Sequence, residues 1–203
     1  MPSISKGVDD EENGISRQNG KFSNQKPMKS KNESITFRIH SEAVTRLRKE
    51  SNDEEISMNT LLNKILKNHN DWHSVASKAG FIAVRRVLLR TLIDKLSEEE
   101  VKMLAAQIAI TTNRDFLMIL RNKVSVESAI DYVESWLRTS GFIYRHQSNA
   151  NATGNYSFVI QHDMGKKWSL YLGELYKHLF EECGASRFFY DSRDNMLSFT
   201  VEV

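Results

Sequence analysis

A single cysteine, Cys183, stands in the 203 residues, so no internal disulfide staples this chain and no cysteine-rich metal spacing exists. No apolar run approaches the ~20 residues that a membrane-spanning helix requires. Residues 1–12 are polar and acidic, without the apolar stretch of a secretory leader, and none is expected there. Glycine-rich phosphate loops, a nucleophile elbow and a two-His-one-carboxylate pattern are all missing, which argues against an enzyme. Charge of one sign is scarce too: 28 Lys and Arg against 26 Asp and Glu leave a net +2. That excludes adhesion to polyanions by bulk charge alone. A cytoplasmic protein without a cofactor is the expectation.

What is present is enough for a packed core, with 40% hydrophobic and 9% aromatic residues. The charge is also unevenly placed. Residues 13–32 hold Arg17, Lys21, Lys26, Lys29 and Lys31 and no acid, among Ser, Asn, Gln and Gly. This reads as a disordered basic arm. Such an arm either lies along a nucleic-acid backbone, gaining affinity by counterion release, or is a solubilising tail. Residues 73–125 carry nine basic and five acidic side chains, and residues 126–203 seven and ten. Middle and end therefore differ in sign.

Residues 34–39 read Ser-Ile-Thr-Phe-Arg-Ile, a strict polar and apolar alternation. As a strand it puts Ile35, Phe37 and Ile39 on one face and Ser34, Thr36 and Arg38 on the other. Ser41 then caps a helix through Val44 and Leu47, and Asn52 to Glu55 break it. Ser57 caps a second helix, which is expected to bury Leu61, Leu62, Ile65 and Leu66 and to run to about Trp72. A lone strand with two short helices, about 40 residues in all, is too small to bury its own apolar faces. A second copy solves this: two strands pair antiparallel, four helices interlock, and the polar strand face is left outward. Taken one by one, the alternating hexapeptide also fits an ordinary half-buried strand, and Ser57 a plain cap.

Ser34 to Trp72 resembles the ribbon-helix-helix superfamily of DNA-binding repressors, of the Arc and methionine-repressor type. The likeness lies in the alternating strand, the short helix and the Ser-x-Asn start of the second helix, about a fifth of the chain. It implies base readout in the major groove by Ser34, Thr36 and Arg38, with Arg38 bidentate on guanine. It also implies a phosphate clamp at Ser57 and Asn59, where helix N–H groups favour an anion, with Lys29 and Lys31 of the arm adding backbone contacts. Asp53, Glu54 and Glu55, just ahead of that clamp, depart from what phosphate favours. Ser57–Trp72 together with His162–Ser169 is similar to a group of uncharacterised archaeal ribbon-helix-helix proteins.

Beyond Trp72 the pattern is helical. Phe81, Val84, Leu88, Leu92 and Leu96 keep helical spacing, and Ser97 to Glu100 form a capping box for the next helix. Thr112 or Asn113 is expected to cap a further short helix. Ser125 caps another, ended by Gly141. Two hairpins around a helix from Trp168 to Cys183 then give α-β-β-α-β-β. The fold class is α+β with an antiparallel sheet. Four segments follow: an arm at 1–32, a ribbon-helix-helix domain at 33–72, a helical linker at 73–124 and an α+β domain at 125–203. At 162–169 two readings stand open. One puts an anion at the helix start beside Lys166 or Lys167; the other is a plain turn with Asp163 as cap. Arg85, Arg86 and Arg90 read as a solvated helix face. His69 and His73 share a helix face only if that helix continues, and no metal is expected.

The expected function is a dimeric transcriptional regulator on double-stranded DNA, with a tetramer open and no membrane partner. Its C-terminal domain would serve oligomerisation or sensing. The alternative is an antitoxin-like or scaffold protein whose ribbon mainly dimerises.

Overall fold

A computed structural model describes residues 33–149 and 154–203. The expected arm at 1–32, with Lys29 and Lys31, lies outside the described residues. The chain divides into two compact units, Met1–His40 and Ser41–Val203. In the first unit, residues 33–40 carry neither helix nor strand. The strand expected at 34–39 is not formed in the single chain, because a strand is stabilised only by pairing with another. Ile35 and Phe37 are each 66% exposed and Ile39 is 44% exposed.

The second unit opens with α1 (Ser41–Asp53) and α2 (Met58–Asn68). Glu55 takes a left-handed φ of 54°, and the Ile56 N–H donates back to the Ser51 carbonyl at 2.9 Å. That closes α1 at the acidic break. Ser57 caps α2, its Oγ accepting from the Thr60 N–H at 3.0 Å. The helix does not run on as regular α-helix to Trp72. It passes into a π-helical turn, His69–His73, and then α3 (Ser74–Ala76). The wider turn changes which side chains face inward. Trp72 is buried against Phe81 and Tyr132, while His69 and His73 are exposed.

The helix expected from Phe81 begins only at Arg86, as α4 (Arg86–Ile93). Gly80 turns the chain at φ 82°, and Phe81 docks on Trp72 and Phe116 at centroid distances of 4.7 and 4.8 Å. Ring packing thus decides this stretch against its helical periodicity. Next comes α5 (Glu98–Arg121), opened by the expected capping box: Glu100 N–H to Ser97 Oγ at 3.2 Å, and Ser97 N–H to Glu100 Oε2 at 2.7 Å. The break expected at Thr112 or Asn113 is absent, and Asn113 lies buried inside this helix. Helix α6 (Val126–Ser140) is capped by Ser125 and ended by Gly141 at φ 68°.

Four strands follow: β1 (Ile143–Asn149), β2 (Asn155–Gln161), β3 (Arg187–Arg193) and β4 (Met196–Glu202), with α7 (Lys166–Glu182) between the hairpins. The sheet is antiparallel throughout, in the order β1-β2-β4-β3. Its inner face presents Phe158, Ile160, Leu197, Phe199 and Val201, all buried. Helix α7 is buried on two sides. Tyr176 and Phe180 pack on Phe199 of the sheet, while Trp168, Tyr171 and Leu172 belong to the side that meets the other helices. The fold is α+β. Ile93, Val101 and Leu117 of the middle helices share one hydrophobic core with the sheet and α7. The stretches 73–124 and 125–203 therefore pack together around a common interior.

Candidate functional site

Ser34, Thr36 and Arg38 are all exposed. They fall in the first unit, whereas Ser57 and Asn59 fall in the second. At the start of α2, Ser57 Oγ also pairs with Thr60 Oγ1 at 2.8 Å. Asn59 is exposed, and its carbonyl accepts from Asn63 Nδ2 at 2.8 Å. The first N–H groups of a helix lack intrahelical partners, so this end carries partial positive charge. Of the three acids ahead of it, Glu54 is held by Lys64 Nζ at 2.6 Å. That pairing moderates the repulsion expected from Asp53, Glu54 and Glu55.

The two open readings at 162–169 are decided by geometry. Lys166 Nζ bonds Glu98 Oε1 at 2.8 Å, and this contact holds the Glu98 carboxyl below its usual range. Lys167 Nζ donates to the carbonyls of Asp94 and Leu96. Both lysines thus tie α7 to the approach to α5 and are not gathered around an anion. Asp163 is not the cap. Its carboxylate takes Arg86 Nη1 at 3.1 Å, and Gly165 at φ 83° precedes the helix. Arg86 also donates to the Ser140 carbonyl at 2.6 Å, and Arg90 to the Asp163 carbonyl at 3.0 Å. Two of the three arginines read as a solvated face are therefore tethers.

A relay behind this turn explains its shape. His162 Nδ1 accepts the Met164 N–H at 3.1 Å, so the proton sits on Nε2, which donates to Ser169 Oγ at 2.9 Å. The Ser169 hydroxyl in turn donates to the Arg193 carbonyl at 2.7 Å. Burial holds the His162 imidazole below its usual pKa, partly offset by Asp163 and Asp194.

Sequence reasoning missed an open cavity of about 920 Å³ on the helical side. The π-helical turn, α3, α4, α5, α6 and α7 all contribute to it. Its wall contains Trp72, Trp136 and Trp168, all three tryptophans of the chain. Asn113, Tyr132, Tyr171 and Tyr176 join them. Desolvation pushes the Tyr171 hydroxyl up to about 12 and the Tyr176 hydroxyl well above the usual range. Those phenols are neutral across the physiological range. The one signal in the sequence is the aromatic spacing of residues 168–176, which by itself is equally that of a core helix.

Among the described residues, no group of three or more His, Cys, Asp or Glu is placed to hold a metal ion. Nor is any helix among them long and apolar enough to cross a membrane. Burial raises the Cys183 thiol to about 11, which leaves it a weak nucleophile. Comparison with family models, with curated proteins and with solved structures finds no match for this chain.

Proposed function

We propose that this chain is a dimeric, sequence-specific DNA-binding regulator that reads the major groove with a ribbon formed by residues 34–39 of two copies. One observation carries the reading. Ile35, Phe37 and Ile39, at alternating positions, are left 66%, 66% and 44% exposed in the single chain. Ile65 and Leu66 of α2 are exposed as well. Each such side chain gains about 1.5–3 kcal/mol on full burial. An apolar stripe with the period of a strand calls for a partner strand, and a second copy supplies one of identical pattern.

Pairing through Ile35, Phe37 and Ile39 turns Ser34, Thr36 and Arg38 to the opposite face, because strand side chains alternate. A two-stranded ribbon fits the major groove, where Arg38 pairs with guanine O6 and N7, and Thr36 meets a polar edge or a thymine methyl. Ser57 and Asn59 at the capped start of α2 then serve a phosphate, and Lys29 and Lys31 add contacts without sequence preference. The acidic C-terminal third does not favour DNA, which assigns it to assembly or signal input.

The test is a binding titration against a preferred duplex. Replacing Arg38 by Ala should relax choice at one base position and weaken binding there by ~1–3 kcal/mol. Identical binding by wild type and variant, without sequence preference, contradicts groove reading. A chain that dimerises but binds no DNA is the scaffold alternative.

A further inference from the structure

We propose that the outward face of α4 pairs with the same face of a second copy, the two helices running antiparallel. This contact is separate from residues 34–39 and does not rest on the DNA reading.

Helix α4 is turned the wrong way round for a helix that meets only water. At ~3.6 residues per turn, Arg86, Leu89, Arg90 and Ile93 fall on one side and Val87, Leu88, Thr91 and Leu92 on the other. The first set faces the body of the protein. Ile93 is buried and Leu89 half-buried. Arg86 bonds Asp163 and the Ser140 carbonyl and lies 4.9 Å from the Phe142 ring centroid, and Arg90 reaches the Asp163 carbonyl. The second set faces outward, with Val87, Leu88 and Leu92 left 64%, 51% and 54% exposed. On an ordinary surface helix the charged residues face solvent and the apolar ones face the core. Here both arginines turn inward, and the outer four residues carry no charge. Ile82 and Val84, just ahead of the helix, are exposed as well. A concentration of apolar side chains of this kind marks a protein contact.

The face can be dried without stranding a polar side chain. Thr91 Oγ1 donates to the Val87 carbonyl of its own helix at 2.8 Å, so its hydroxyl needs no water. The occupant must offer an uncharged apolar face about two turns long. A second α4 has that face by construction, and a self-complementary patch closes as a twofold pair. The charges at the two ends agree. Arg85 stands at the N-terminal end, where the helix dipole is positive, and it is exposed without an ion-pair partner among the described residues. Asp94 follows the C-terminal, negative end. Antiparallel alignment brings each Arg85 toward the other copy's Asp94, whereas parallel alignment sets like ends together. The contact is small beside the ~800 Å² per partner of a standard interface, so it is weak and reversible.

Sedimentation equilibrium of the full-length chain over the micromolar range reads the pairing. Phe37→Lys disables the proposed ribbon, and this chain should still associate. Adding Leu88→Lys, on an exposed side of α4, should weaken that association at least about tenfold, because pairing would bury a charge. A Phe37→Lys chain that is monomeric throughout, or one in which Leu88→Lys changes nothing, overturns the α4 contact. A Phe37→Lys chain that associates just as wild type does counts against the ribbon and leaves α4 pairing in place. Arg85→Glu should weaken the pair about twofold, the size expected of an exposed ion pair. A tighter pair in that variant overturns the antiparallel alignment. The wild-type chain supplies a test that needs no substitution. Amide resonances of residues 84–92 should shift on dilution, and resonances that stay still while the mass falls overturn the assignment to this face.

Discussion

The clearest case of a single side chain fixing local structure is His162. Its Nδ1 must be unprotonated to accept the Met164 N–H, and its Nε2–H reaches Ser169. The folded state thus holds the neutral ring, and burial lowers its pKa below the unfolded value. A lowered histidine pKa gives stability that is fully present above the unfolded value near 6.5 and is lost as pH falls below it. Denaturation monitored between pH 7.5 and 5 should show a loss of up to about 1.4 kcal/mol per pH unit from this site. His162→Gln, which cannot gain a proton, should flatten that part of the profile. An unchanged slope in the variant would assign the acid sensitivity elsewhere. None of this was legible in the sequence, where His162 opened a stretch read as an anion site or a turn capped by Asp163. The partners that decide it, Ser169 and the Arg193 carbonyl, come from other elements.

At the scale of elements, local signals held where the chemistry is local. Ser97 and Glu100 form their reciprocal pair, Ser125 caps α6, and Gly141 ends it in a left-handed turn. Each depends on neighbours within a few residues, and such patterns can be read from order alone. The failures have a common origin in packing. Residues 81–85 have helical spacing, yet Phe81 is held by two rings from other segments. Asn113 looks like a cap, but α5 continues through it, packed along α7. The interior of α7 shows the same rule at close range. A Cβ placed on Gly173 would lie 2.5 Å from the Tyr190 ring, itself fixed by a hydrogen bond to Glu174. Gly→Ala inside a helix normally stabilises by about 0.5–1 kcal/mol. Here Gly173→Ala should instead destabilise, by about 1–3 kcal/mol, through the forced shift of β3. Chemical denaturation measures the difference, and a net gain in stability would show that Tyr190 yields freely.

For the whole molecule, the net charge of +2 resolves into parts with different work. Residues 13–32 are basic, residues 33–72 are nearly neutral, and residues 126–203 are acidic. Under the proposed function, residues 13–32 add general attraction while a few placed side chains choose the site. Deleting residues 1–32 should then weaken binding to all sequences alike and reduce the dependence of affinity on salt. An equal salt slope with and without the arm would remove it from the interface. The alternation at 34–39 was legible, but residues 33–40 carry neither helix nor strand in the single chain, and the partner strand that the proposed ribbon requires is invisible in one chain. The cavity was hidden for the related reason that its wall is drawn from residues 72 to 176.

The central claim is that two copies build a groove-reading ribbon, and selection of bound duplexes from a random DNA pool tests it most directly. The full-length protein should enrich one short motif, repeated as a palindrome or in tandem, with half-sites spaced to suit a symmetric dimer. Recovery of a pool that matches the input, with no enriched half-site, would contradict the account.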